Sequence, residues 1–156
     1  MTVSEFWAVA ANIALALSAP YAIALFMYEQ SRERKVKNEE MYQELAEEYA
    51  KFNDLLIRNA DLRLRTNPVP DRELTLEQKE RKRIIFDSLI SLFEQAFILV
   101  YEQKMDRDAQ RLWSTWEDYI LFWCTRPDFR AFLPELLPGE DPDFVVYIRK
   151  VAKLEA

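Results

Sequence analysis

From Phe6 to Tyr28 the chain runs 23 residues, FWAVAANIALALSAPYAIALFMY, without one Asp, Glu, Lys or Arg. Only an α-helix can place so long an apolar stretch in a low-dielectric medium and still satisfy its own backbone hydrogen bonds. About 20 such residues, rising 1.5 Å each, match a hydrocarbon core of ~30 Å. The run is therefore expected to be a transmembrane helix within an N-terminal segment 1–28. A cleaved signal peptide would carry basic residues before a shorter apolar stretch; Glu5 is the only charge before this run.

Trp7 and Tyr28 stand near the two ends, where amphipathic aromatics favour the lipid–water interface. Asn12 and Ser18 are the polar side chains of the span, and Pro20 removes one backbone donor inside it. These three are the candidate helix-packing positions, and frequent alanines leave the surface smooth enough for close approach of another helix. A lipid, quinone or pigment could lie against such a surface. Beyond the run, Arg32, Arg34, Lys35 and Lys37 form a basic flank. Positive flanks stay cytoplasmic, so the N-terminus is expected outside and the C-terminal part inside a bacterial inner membrane. The same residues are the expected contacts to lipid headgroups.

Charge then divides the chain. Of its 27 acidic and 21 basic residues, all but Glu5 fall in 29–156, which carries a net charge of −5. An acidic balance argues against a nucleic-acid partner, which needs a concentrated positive field. There is no histidine and one glycine, Gly139. That excludes Ser-His-Asp and Cys-His nucleophile pairs, His-ligated metals, the P-loop and the dinucleotide fingerprint. No catalytic residue, metal ligand or resident cofactor is assigned.

The pattern of 29–156 is that of an all-α cytoplasmic bundle of about four helices. A long helix is expected at 29–59, with Tyr42, Leu45, Tyr49, Phe52 and Leu56 as its seam. Pro68 and Pro70 make 64–74 a loop. Thr75 and Gln78 form a capping box opening a helix at about 76–104. Its two apolar stripes are Ile85, Leu89, Leu92, Ala96, Leu99 and Phe86, Ile90, Phe93, Phe97, Val100, which makes it the central helix. The basic run at its start, 79–83, reads as a solvated first turn. Further helices are expected at 108–125, 128–137 and 142–154, the last two opened by Arg126-Pro127 and by Asp141-Pro142. Pro134 is expected to help end the first of these, and Gly139 to sit in the turn between them.

Four features invite chemistry. Trp113, Trp116 and Trp123 recur at helical spacing, as an aromatic core or a partner surface. Glu94 sits among apolar neighbours and is expected to be a buried charge paired with Arg63, Arg111 or Arg130. Glu44, Glu47 and Glu48 share one helix side and read as a solvated acidic face. Cys124 reads as a small buried hydrophobe, or as a thiol activated by Arg126.

The runs LISLFEQAFILVYEQ, WSTWEDYILFW, RPDFRAFL and DPDFVVYIRKV, with Leu55-Leu56, Asn59 and Tyr147-Ile148, resemble a broad set of uncharacterised bacterial proteins. These carry one N-terminal membrane helix and a small cytoplasmic helical domain. The resemblance covers nearly the whole chain, implies that architecture, and brings no catalytic residue with it. The expected function is a non-catalytic accessory subunit of an inner-membrane complex, photosynthetic or respiratory in kind, whose partners are membrane lipids and integral membrane subunits. The alternative is a membrane-tethered signalling or defence module that binds a soluble partner.

Overall fold

A computed structural model describes residues 3–101, 104–105 and 107–154, and of residues 3–19, 34, 35, 38 and 108 the backbone alone. Among the described residues all regular structure is helical: α1 (Val3–Arg58), α2 (Leu76–Val100), α3 (Arg107–Cys124), α4 (Pro127–Leu136) and α5 (Pro142–Val151). Two single 3₁₀ turns, Ala60–Leu62 and Asp71–Glu73, lie between α1 and α2. The chain forms two compact units that divide between Tyr42 and Gln43. The division expected from charge fell at 28/29.

The first unit is helical throughout its described residues, with Pro20 inside the helix. Tyr21, Ile23, Phe26, Met27 and Tyr28 are each at least 60% exposed. Among the described residues no helix is long and apolar enough to cross a membrane. Of the charge-free run, residues 6–19 lie outside the described side chains, and with them Trp7, Asn12 and Ser18; so do Arg34 and Lys35. Arg32 and Lys37 are exposed.

The second unit is built around α2, which packs on α3, α4 and α5. Both predicted stripes of α2 are buried, with Phe86, Leu89, Ile90, Phe93 and Ala96 wholly inaccessible. Leu99 is the exception at 40% exposed, because the last turn of α2 is covered on the Val100 side only. The α1 seam begins at Leu45 rather than Tyr42, which stands 49% exposed; Leu45, Phe52 and Leu56 are buried. The Phe52 ring meets Trp123 edge-on at 5.9 Å, and Tyr49 stacks on Tyr119 at 4.2 Å.

Tertiary packing moves several helix ends. α2 stops at Val100, short of 104, because Tyr101 turns extended (φ −75°, ψ 125°). Its ring thereby stacks on Phe97 at 4.5 Å and meets Trp113 at 5.1 Å. α4 runs through Pro134 to Leu136, although Pro134 was expected to help end it. Proline there forfeits one hydrogen bond, and the Leu137 N–H still reaches the Leu133 carbonyl at 3.0 Å. α5 closes at Val151 with Lys153 left-handed (φ 53°). The Leu154 N–H then reaches back to Arg149 O and the Lys153 N–H to Lys150 O, a Schellman closure. Gly139 takes φ +105° in the α4–α5 turn, a conformation that L side chains rarely adopt.

The expected loop 64–74 is pinned at both ends. Leu62, Leu64 and Leu74 are buried. Arg81 of α2 donates to Asn59 Oδ1 (2.6 Å) and to both oxygens of Asp61 (3.2 and 2.8 Å), and Gln78 Nε2 adds a bond to Asp61 at 3.0 Å. The capping box forms as read: the Gln78 N–H donates to Thr75 Oγ1 (3.2 Å), and the Thr75 N–H to Gln78 Oε1 (2.9 Å).

Thr75 is exposed, so its replacement removes little but the cap. Thr75→Ala should lower unfolding free energy by about 1 kcal/mol, and Thr75→Ser by much less. Chemical denaturation of the two variants beside the wild type measures both.

Candidate functional site

Where the C-terminal end of α2 meets α3 and α5, an aromatic-floored cleft of about 460 Å³ opens. Helical spacing builds its walls. Gln110, Trp113, Ser114 and Glu117 share one face of α3, while Tyr147, Lys150 and Val151 share one face of α5. The floor rings pack on one another: Trp113 to Tyr147 at 5.5 Å, and Tyr101 to Tyr147 at 5.4 Å. The Tyr147 hydroxyl donates to Glu117 Oε1 at 3.3 Å. Burial, and then the Glu117 carboxylate, push the Tyr147 phenol far above its ordinary range, so it stays a neutral donor. Ser114 Oγ donates to the Arg111 carbonyl (2.8 Å), one turn back on its own helix. The chemistry on offer is recognition: ring faces, one oriented carboxylate, and one ammonium on the opposite rim.

The three tryptophans fall at different depths of function. Trp123 is wholly inaccessible among Phe52, Phe86 and Phe129. Trp116 is 4% exposed and meets Tyr49 edge-on at 5.8 Å. Trp113, 3% exposed, is the only one of the three that borders the cleft.

Glu94 is half-buried, as its apolar neighbours imply, but its partner differs from the expected arginine. It accepts the backbone N–H of Asp141, the residue that caps α5. No Arg or Lys lies within salt-bridge reach of Glu94 among the described residues. The capping turn of α5 offers a fixed peptide dipole where an arginine side chain would have to be ordered at an entropic cost.

Sequence reasoning missed a buried charge array. Lys82, read as part of a solvated first turn, is 2% exposed and lies 3.0 Å from both Asp71 and Asp128. Arg126, noted as the start of α4 and as a neighbour of Cys124, is 6% exposed. It grips Asp128 with Nε (3.1 Å) and Nη2 (2.8 Å) and donates Nη1 to the Thr66 carbonyl (2.8 Å). Burial alone would raise the Asp128 carboxyl; the hydrogen bonds from Arg126 and Lys82 outweigh it and hold it below its ordinary range. The signal available in sequence was helical phase: Lys82 precedes Phe86 and Leu89 by four and seven residues, on the buried face.

Cys124 is 6% exposed, and burial pushes its thiol up to about 12, with Arg130 opposing. Arg126 does not activate it, being held by Asp128 and Thr66. Glu48 is paired with exposed Lys51 at 2.6 Å, and no acidic or cysteine group among the described residues is arranged to hold a metal ion. Comparison with protein-family models, with curated proteins and with solved structures finds no match.

Asp128→Asn should cost about 3–5 kcal/mol, because Lys82 and Arg126 would lose their buried counter-charge; urea denaturation at pH 7 reads it. The depressed Asp128 carboxyl also carries a sign. Its stabilisation is complete above the unfolded-state value and drains as pH falls through the folded one, so wild-type stability should decline as the solution is acidified, and Asp128→Asn should flatten that acid limb. Native Cys124 should react with a disulfide reagent at pH 8 at least tenfold more slowly than in urea, where the thiolate is both exposed and formed.

Proposed function

We propose that the protein is a non-catalytic accessory subunit of a bacterial inner-membrane assembly. In this reading the helix 6–28 inserts in the bilayer against partner subunits with its N-terminus on the periplasmic side, and residues 43–156 serve as a cytoplasmic interaction domain. The observation that carries it is the charge-free helical run, whose described end presents Tyr21, Ile23, Phe26, Met27 and Tyr28 uncovered. Exposing that many large apolar side chains to water has a steep cost, which a bilayer or an apolar partner removes. Arg32 and Lys37, exposed just beyond Tyr28, suit the headgroup side. Asn12, Ser18 and Pro20 are the packing positions of the proposed membrane helix, and a lipid or pigment is its proposed neighbour.

The second reading, a membrane-tethered signalling or defence module with a soluble partner, is favoured by the aromatic cleft. Its Glu117 and Lys150 rims suit a side chain of a docked protein.

Extraction of membranes with a mild detergent, followed by native mass analysis, separates the readings. The accessory subunit should co-migrate in fixed stoichiometry with larger membrane proteins. A free monomer or homo-oligomer would sink that reading and leave the tethered module. Recovery in the aqueous fraction without detergent would sink both.

A further inference from the structure

The cleft between α2, α3 and α5 carries two opposite charges that do not meet. Glu117 of α3 is half-buried, and the Tyr147 hydroxyl engages one of its oxygens, Oε1. Among the described residues Oε2 has no partner, and neither has the ammonium of Lys150, exposed on α5. Both side chains line the same cleft, yet they form no ion pair with each other. Each charge is thus open to a ligand that carries both signs.

The spacing limits that ligand. Tyr147, which holds Glu117, and Lys150 are three residues apart on α5, a rise of about 4.5 Å. In a free amino acid the ammonium nitrogen and the carboxylate carbon share one tetrahedral carbon and lie about 2.5 Å apart. A zwitterion with charges so close suits two opposite groups about one helical turn apart. The floor supplies the rest. The rings of Tyr101, Trp113 and Tyr147 lie 5.1, 5.4 and 5.5 Å from one another. Such rings favour a further aromatic ring, and their faces also favour an ammonium. Met105, half-buried at the border, offers a flexible thioether that adapts to what it meets. The cleft volume of about 460 Å³ falls within the range of small-molecule sites.

We propose that this cleft binds a free aromatic α-amino acid, with its ammonium on Glu117, its carboxylate on Lys150 and its ring on the Tyr101–Trp113–Tyr147 floor. The two charges favour this occupant over a docked protein. Inside a polypeptide the corresponding nitrogen and carbonyl are neutral amides, and a single charged side chain would answer only one of the two groups. The proposal does not rest on the membrane reading.

Calorimetric titration of the full chain in mild detergent with L-phenylalanine tests it, with amide NMR shifts to place the ligand. Binding should show a Kd of about 1 mM or tighter, with shifts centred on the cleft. Phenethylamine lacks the carboxylate and phenylpropionate lacks the ammonium; each should bind about tenfold more weakly, as expected for one lost charged contact. N-acetyl-L-phenylalaninamide, which lacks both charges and stands for a residue within a docked protein, should lose about a hundredfold. Glu117→Gln keeps an acceptor for Tyr147, and Lys150→Met keeps the apolar stem; each should weaken L-phenylalanine about tenfold. Lys150→Met should also erase its advantage over phenethylamine. No binding of L-phenylalanine at about 10 mM overturns the proposal. So does equal binding of phenethylamine, which would make this a cation site, or of the neutral amide, which would make it a side-chain pocket. Binding that neither variant weakens places the ligand elsewhere and overturns it too. If a variant does not fold, the ligand series on the wild type decides alone.

Discussion

One carboxylate neutralises two cations inside the 43–156 unit. Asp128 receives Arg126 in two bonds and Lys82 in one, and Asp71 and Thr66 O complete the set. Taking Lys82 out of water would cost several kcal/mol if it stood alone. The groups of the array come from three places in the chain: the 64–74 connection, α2, and the start of α4. Satisfying the charges therefore fixes three segments at once. Phe86 and Phe132, whose rings lie 5.7 and 5.8 Å from the Lys82 ammonium, close the site from the apolar side. Misplacing any member leaves a bare charge in the core, a penalty that apolar packing alone would not impose.

Around that array the core is mainly aromatic. Phe86 meets Trp123, Phe129 and Phe132 edge-on at 5.2–6.0 Å, and Phe97 anchors a second cluster with Tyr101, Trp113 and Tyr147. Edge-to-face geometry adds attraction beyond area burial, and large rings fill volume in a small unit. The two clusters divide the labour. The Phe86 cluster is closed, whereas the Phe97 cluster reaches the cleft, so the same residue types fill the core in one and line an open surface in the other.

The helices were legible in sequence because their signals are local. Periodicity marked both α2 stripes, the Thr75–Gln78 pair marked its start, and Asp141-Pro142 marked α5. What was not legible depends on neighbours distant in sequence. Lys82 reads as a surface lysine until Asp71 and Asp128 are brought to it. Glu94 calls for an arginine until the α5 cap arrives with a free N–H. The end of α2 moved because Tyr101 gains ring contacts with Phe97 and Trp113 that three more helical residues would not provide. The cleft itself needed the relative placement of α3 and α5, and no residue pattern encodes that.

Gly139 carries a consequence of handedness. A side-chain carbon added there would meet nothing within 4 Å, so space is not what reserves the position for glycine. The restriction is the chirality of the L backbone at φ +105°. The mirror-image residue has no such restriction: a D-alanine built in by chemical ligation would sit in the turn unstrained. It would also remove the conformational freedom that glycine gives the unfolded chain. At Gly139 a side chain of reversed handedness would stabilise the fold by adding a constraint where none stands, without displacing an existing side chain.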